Sequence, residues 1–277
     1  MKFYQPLIFI LALTFGYSHS YAEELPKWEF GLGAGGLYQS LYTGTKETRT
    51  FFFPAPLIVY RGDIFKSDDE GVRAQLSKTP TYKLDISLDF NLAVDSDDVE
   101  LRRGLPDIDN LLQIGPSLEI TLDKNPKSEW QLRLPIRSSF AISSDGVSQA
   151  GYTFSPNLAY FHQLHSGAKP WRFNASFGPQ FADSEYNNIF YGVEPQFATT
   201  ERTAFDADSG FAGTRSTLSL VSKNRKRLIV FFLRYDNISG AVFDDSPLVE
   251  TKDNLTAGFI YSYYLFKSKQ KVRTKDR

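Results

Sequence analysis

The side chains of this chain that are best suited to chemistry are two histidines that lie close together, His162 and His165. A metal site is disfavoured there, because residues three apart on a strand point to opposite faces and no carboxylate or cysteine lies at ligand spacing. A lipid hydrolase would need a serine facing the same way on a neighbouring strand, and the many serines of this chain make any such match uninformative. We therefore expect no catalytic residue, no metal and no cofactor.

Composition excludes several further classes of protein. The chain has no cysteine, which rules out thiol nucleophiles, disulfide scaffolds and cysteine-ligated metal sites. Lys plus Arg number 31 against 32 Asp plus Glu, so no basic excess favours nucleic acid as a partner. The glycine-rich run at 31–36 lies within a strand pattern and does not open a helix, so it indicates close packing and not a dinucleotide loop.

A second set of charged residues lies on the polar faces of predicted strands, and we expect these side chains to face a barrel lumen. The set is Asp85, Asp89, Glu119, Arg133, Arg137, Arg172, Arg215 and Arg234. Two interpretations remain open at this point. The charges either fill the lumen with salt-bridged side chains or line a narrow path for a solute.

The elements that carry these charges alternate with a period of two. From Tyr82 to Val94 the even positions are apolar and the odd positions are almost all polar, and similar alternation recurs near 112–122, 130–137 and 171–181. Such segments rise about 3.3 Å per residue and match the 9 to 11 tilted residues of a membrane barrel strand. A soluble sandwich would alternate too. The Trp and Tyr residues near the ends of the apolar rows favour a membrane barrel.

The amino terminus resembles a secretory signal peptide. Lys2 precedes an apolar run at 7–15, and Ser20-Tyr21-Ala22 supplies small residues before an acidic pair. We predict a signal peptide at 1–22 with cleavage after Ala22, and hence export. No later segment is apolar enough for a membrane-spanning helix.

Turns and loops between the strands differ in length. Short turn-rich segments lie at 123–127, 166–170 and 222–225. Longer polar stretches lie at 95–109, 142–149, 182–209 and 237–253. This asymmetry is typical of bacterial outer-membrane barrels, with short periplasmic turns and long outer loops. The sequence predicts an all-β, antiparallel transmembrane barrel of about 12 strands, with 10 to 14 compatible with the pattern.

Strand counting leaves one conflict. A weak strand near 191–199 gives an even number but places the stretch at 95–109 in the periplasm, whereas omitting it puts the amino terminus on the wrong side. The region from Phe51 to Ser77 is the part most open to wrong segmentation, because the run at 51–56 is apolar on both faces and contains two prolines.

Several segments, taken in order, resemble the MipA/OmpV family of outer-membrane proteins. They are Trp28-Glu29-Phe30-Gly31-Leu32-Gly33-Ala34-Gly35, Tyr42-Thr43-Gly44-Thr45, Phe53-Pro54 through Tyr60-Arg61-Gly62-Asp63, Leu101-Arg102-Arg103-Gly104-Leu105-Pro106-Asp107-Ile108-Asp109, and Asp245-Ser246-Pro247-Leu248-Val249. Gly258, Tyr261 and Tyr263 look like the aromatic assembly signal that the barrel assembly machinery reads. The basic tail at 267–277 departs from the family pattern, in which chains end near the final aromatic residue.

The resemblance implies an outer-membrane barrel of a Gram-negative bacterium, surrounded by outer-membrane lipid. Some members are linked to scaffolding between a lytic transglycosylase and a peptidoglycan synthase, and others are described as porin-like or adhesive. We expect a signal peptide at 1–22, a barrel at 23–266 and a tail at 267–277. The expected function is a non-enzymatic scaffold for peptidoglycan-remodelling enzymes. The alternative is a porin-like channel for small solutes.

Overall fold

The computed structural model describes residues 24–61, 65–68, 71–165, 170–224 and 226–273. Within these ranges the chain forms strands and one α-helix, α1 (Ser184–Tyr191). The strands are β1 (Glu24–Pro26), β2 (Trp28–Ser40), β3 (Thr48–Pro54), β4 (Leu57–Arg61), β5 (Phe65–Asp68), β6 (Gly71–Lys78), β7 (Tyr82–Asn91), β8 (Asn110–Lys124), β9 (Ser128–Ser143), β10 (Gly146–Phe154), β11 (Asn157–His165), β12 (Trp171–Ala182), β13 (Gly210–Lys223), β14 (Arg227–Asn237), β15 (Asp253–Lys267) and β16 (Lys271–Arg273).

Strands β2 to β15 form one closed antiparallel barrel. Consecutive strands pair with each other, except at β3–β4 and β10–β11, and β15 closes the ring by pairing with β2. Two positions in the wall are filled by a broken strand: β3 and β4 both pair with β2, and β10 and β11 both pair with β9. Each break contains a proline, Pro56 or Pro156, which has no backbone N–H to donate to the sheet. The barrel therefore has twelve strand positions, which confirms the predicted number.

The structure resolves the conflict in strand direction. The additional strand is β5, which pairs with β4 and β6 inside the region that the sequence segmented poorly. The strand considered near 191–199 is not formed, because that segment contains the end of α1 and a short 3-10 helix at Pro195–Phe197. Both described ends of the chain consequently lie at one end of the barrel, together with most of the short turns. The turn between β9 and β10 lies at the other end and is only two residues long, although the sequence predicted a longer stretch at 142–149. The long connections at 92–109, 183–209 and 238–252 lie at the opposite end.

Side chains alternate between the two faces of the barrel wall. On β15, Phe259, Tyr261 and Tyr263 are exposed on the outside, whereas Ser262 and Tyr264 are buried. An antiparallel sheet that is apolar outside and polar inside is the arrangement of a membrane barrel. Aromatic side chains pair on the outer surface, with Trp28 opposite Tyr60 and Trp130 opposite Tyr160. The rings of the second pair lie 4.6 Å apart, and such rings prefer the headgroup level of a membrane.

Residues outside the barrel wall form smaller elements. Strands β1 and β16 pair with each other in a separate two-stranded sheet at the short-turn end. Part of the predicted basic tail is thus ordered against the start of the described chain. The predicted signal peptide at 1–22 lies outside the described residues. No helix in the described part of the chain is long and apolar enough to cross a membrane.

Candidate functional site

The long connections fold together over one end of the lumen, and we call residues 41–47, 92–109, 183–209 and 238–252 the loop cap. Its centre is aromatic: the rings of Tyr191 and Phe243 stack with centroids 3.6 Å apart, and the rings of Phe190 and Tyr42 pack beside them. Tyr42 donates a hydrogen bond to the carbonyl of Leu248 at 2.6 Å. The cap therefore has an apolar core of its own above the polar lumen.

Helix α1 enters the mouth of the barrel at a defined point. The Asp183 carboxylate caps the helix by accepting a hydrogen bond from the backbone N–H of Tyr186 at 2.9 Å. The capped first turn of α1 packs against Gly151 of β10, which has a φ of +88°. A Cβ at Gly151 would lie 2.3 Å from Oδ1 of Asp183. The left-handed backbone and the close approach of α1 both require glycine at this position.

Tyr186 links α1 to the barrel wall through hydrogen bonds. Its hydroxyl accepts hydrogen bonds from the side-chain amides of Asn91 on β7 and Gln113 on β8, both at 3.0 Å. Burial raises the pKa of Tyr186 to about 12. Burial also raises the pKa values of Tyr42 and Tyr191, so the cap holds its tyrosines as neutral phenols.

Two arginines join the cap connections through backbone carbonyls. Buried Arg102 donates to the carbonyls of Phe190 at 2.9 Å and Pro106 at 3.1 Å, and burial lowers the pKa of its guanidinium. Arg202 donates to the carbonyls of Leu101 at 2.8 Å and Phe197 at 3.0 Å. The connections at 92–109 and 183–209 are thus held together as one unit.

Beneath the cap lies a set of charged side chains that we call the upper charge cluster: Asp89, Arg137, Arg215, Arg234 and Asp236. Asp236 accepts Arg215 at 2.6 Å and Arg234 at 3.0 Å. Arg215 also lies 3.8 Å from Asp89. Arg215 is on β13 and Asp89 is on β7, and these strands are not neighbours in the wall, so this ion pair crosses the lumen. A cavity of about 150 Å³ lies between the cluster and the cap.

Nearer the short turns lies the lower charge cluster, consisting of Lys83, Asp85, Glu119, Arg133 and Arg172. Lys83 lies 2.6 Å from Asp85 and 3.1 Å from Glu119, and Arg133 lies 3.9 Å from Glu119.

A single aromatic ring supports two members of the lower charge cluster. The guanidinium carbons of Arg133 and Arg172 lie 4.9 Å and 5.5 Å from the ring centroid of Phe161. The face of an aromatic ring attracts a nearby cation, so Phe161 stabilises both guanidinium groups inside the barrel.

The eight residues that the sequence placed at the lumen divide between these two clusters. Sequence reasoning did not single out Lys83, Asp236 or Tyr186. The first two could have been found, since Lys83 lies two residues from Asp85 and Asp236 two residues from Arg234 on the same strand faces. Tyr186 lies in a connection without periodicity, so no sequence pattern indicated that it would reach the lumen.

The other predicted residues are dispersed. Tyr261 and Tyr263 face outwards, whereas Gly258 faces inwards, where an added Cβ would lie 2.4 Å from the ring of Phe232. The phenol oxygen of Tyr160 lies 3.1 Å from Nδ1 of His162. The side chain of His165 lies outside the described part of the structure. The described residues include no group of three or more His, Cys, Asp or Glu placed to hold a metal ion.

The short-turn end is basic where the cap is acidic. Lys226, Lys267, Lys269 and Lys271 are exposed there, and Lys267 pairs with Glu29 at 2.8 Å. The turn that contains Lys226 lies beside the end of β15, because the carbonyl of Lys226 accepts the backbone N–H of Tyr264 at 2.9 Å. By contrast, the connection at 183–209 contains six carboxylates and one arginine.

Comparison with known proteins gives one family match. The family described as MltA-interacting protein MipA matches residues 32–265. The search of curated proteins finds no match.

Among solved structures, a bacterial polysaccharide outer membrane secretin aligns with a TM-score of 0.43 and 7% identity, covering 86% of this chain and 99% of that one. The outer membrane protease OmpT from Escherichia coli aligns with a TM-score of 0.32 and 6% identity, covering 90% and 97%. The outer membrane protein OprG from Pseudomonas aeruginosa aligns with a TM-score of 0.23 and 9% identity, covering 87% and 95%.

Proposed function

The chain belongs to the MltA-interacting protein MipA family, and from that membership we propose that it is a non-enzymatic scaffold for peptidoglycan-remodelling enzymes. It is a β-barrel protein of the outer membrane. The partner proposed first is a lytic transglycosylase, and a peptidoglycan synthase is proposed as the second. A scaffold of this kind acts by raising the effective concentration of two enzymes beside the membrane.

The observation that carries this proposal is the filling of the lumen by the protein's own side chains. The Arg215–Asp89 ion pair crosses the lumen, and Tyr186 closes the space above it with hydrogen bonds to two strands. When the protein's own side chains fill the lumen, the function falls to surfaces outside the lumen. The basic short-turn end then supplies a surface for an acidic partner, since complementary charge speeds association and orients the complex.

The test is site-specific photo-cross-linking in cells. A photo-reactive residue replaces Lys226 at the short-turn end in one variant and Asp97 on the loop cap in the matched control. We expect a cross-link to a lytic transglycosylase from position 226 and none from position 97. Absence of a cross-link from position 226, in cells that contain both proteins and a correctly inserted barrel, would contradict the scaffold.

A second candidate is a porin-like channel, which the polar cavity of about 150 Å³ beneath the cap favours. Single-channel conductance of the refolded protein separates the two candidates. Stable ohmic steps whose ion selectivity changes in Arg133→Glu would support the channel. Silence from a folded and inserted barrel would support the scaffold.

The absence of enzyme activity is also part of the proposal. A lipid-hydrolysis assay on the purified protein tests it. A measured activity that is lost in His162→Ala would overturn it.

A further inference from the structure

A second cavity, of about 660 Å³, opens on the surface of the loop cap between the connections at 92–109 and 183–209. We call it the outer cavity. Its volume falls within the range of about 300–1,000 Å³ that is usual for small-molecule sites. Its accessible apolar wall consists mainly of Ile189, Phe197 and Phe205, whereas Leu105, Leu111 and Val193 border it but are buried. The outer cavity is therefore an apolar groove large enough for a compact organic molecule.

The walls of the outer cavity are held in place before any ligand arrives. Val193 and Phe205 form an antiparallel bridge with N–H to carbonyl distances of 2.8 and 3.0 Å. Arg202 joins the carbonyls of Leu101 and Phe197 across the two connections. A pre-formed cavity saves the free energy of ordering its walls on binding.

Charge restricts the ligands that the outer cavity can accept. Four carboxylates line it, those of Asp107, Asp109, Glu194 and Asp206, against the single guanidinium of Arg102. That guanidinium is directed towards the backbone carbonyls of Phe190 and Pro106.

A hydrogen bond from Asn188 fixes the position of the Asp206 carboxylate. The side-chain amide of Asn188 donates to Asp206 at 2.8 Å, while its oxygen accepts the backbone N–H of Ala207 at 2.8 Å. The surrounding connections are acidic as well, with six carboxylates and two arginines at 92–109. This surface attracts cations and repels anions.

We propose that the outer cavity binds an amphiphilic organic cation, with its apolar body against Phe197 and Phe205 and its ammonium group among the carboxylates. The apolar wall disfavours a bare metal ion. The described residues also include no set of three or more carboxylates close enough to one another to hold such an ion. This inference goes beyond the scaffold function, because the outer cavity lies at the opposite end of the barrel from the proposed enzyme-docking surface.

The test compares three probes that share one apolar body and differ in charge: naphthylmethylammonium, naphthylmethanol and naphthylacetate. Binding to the full-length protein in lipid nanodiscs is measured by calorimetry, with empty nanodiscs as the blank. We expect the ammonium probe to bind at least about tenfold more tightly than the neutral one. We also expect no binding of the carboxylate. Equal binding of the ammonium and neutral probes, or no binding of the ammonium probe, would overturn the proposal.

Variants locate the binding to the outer cavity. Asp109→Asn combined with Glu194→Gln should weaken the ammonium probe about threefold to tenfold and leave the neutral probe unchanged. Asp97→Asn is the matched control, since it removes a carboxylate of the same connection that does not line the cavity. Phe197→Ala should weaken both probes through loss of apolar contact. An equal loss of ammonium binding in Asp97→Asn would show attraction to the whole acidic surface and would contradict a defined site.

Discussion

The two ends of the lumen are closed by different kinds of interaction. At the long-loop end, residues distant in sequence meet through aromatic packing and hydrogen bonds to backbone carbonyls, as Arg102 does with Phe190. At the short-turn end, side chains of neighbouring strands meet through ion pairs and the shared ring of Phe161. The lower charge cluster therefore depends on strand register, whereas the loop cap depends on loops that pack as a small separate core.

The two ends also differ in charge. The cap is acidic and the short-turn end is basic, although the whole chain has a formal net charge of only -1. Composition alone hides this separation, because the charges cancel in the sum. Each end can thus attract a partner that the other end repels.

The largest expected effect comes from disrupting the packing of α1 against Gly151 of β10. In Gly151→Ala the new Cβ meets Asp183 at a backbone φ of +88°, so we expect a loss of about 3 kcal/mol in the free energy of unfolding. Gly104→Ala is the control, since Gly104 has a φ of +79° with no atom within 4 Å of the added Cβ. It should cost about 1 kcal/mol. Urea unfolding from lipid vesicles measures both, and equal losses would show that α1 is not seated as described.

The next largest loss in the free energy of unfolding is expected in the lower charge cluster. Phe161→Leu keeps most of the apolar volume but removes the ring beneath Arg133 and Arg172, and should cost about 2 kcal/mol. Phe259→Leu changes an outward-facing ring on β15 and should cost clearly less. Urea unfolding of the two variants gives the comparison. If both substitutions cost the same, the arginines do not depend on the aromatic ring.

A smaller effect is expected at the contact between the cap and the barrel wall. Tyr186→Phe leaves the amides of Asn91 and Gln113 without an acceptor and should cost about 1 kcal/mol at pH 7.

Alkaline titration sharpens this prediction. The folded pKa of Tyr186 is raised to about 12 from an ordinary value of 10.0. Its stabilising contribution is therefore complete below pH 10 and is lost as the pH rises towards 12. Stability should fall less steeply over this range in Tyr186→Phe than in the unchanged chain. Identical slopes would mean that Tyr186 is ionised as easily as a tyrosine in water.

The smallest effect is expected at an exposed ion pair on the cap. Asp244 accepts Lys252 at 2.8 Å and the N–H of Gly240 at 2.8 Å, and these hydrogen bonds lower the pKa of its carboxyl. Asp244→Asn should reduce stability slightly at pH 7. The difference should disappear as the pH falls through the lowered pKa, because the pair stabilises the fold only while Asp244 is ionised. A difference that persists in acid would assign the effect to packing.

Local patterns predicted the wall of the barrel well and its connections poorly. The strand near 82–94 was found because its period of two extends over many residues, although the strand ends at Asn91. The short strand β5 was missed, since four residues give too little alternation to separate it from β4 and β6. Helix α1 was missed because a helix of about two turns within a polar connection has no clear periodicity, and its position depends on Gly151 far away in sequence.

The sequence by itself determined an all-β membrane barrel with polar residues inside, because alternation of side chains is a local property of each strand. The same alternation predicted eight inward charged residues but did not single out Lys83 or Asp236. The tertiary structure alone decided that Arg215 meets Asp89 across the lumen, that α1 closes the mouth and that an outer cavity opens between two connections. These features depend on the closure of the ring and on contacts between distant loops, and no local pattern encodes such distances.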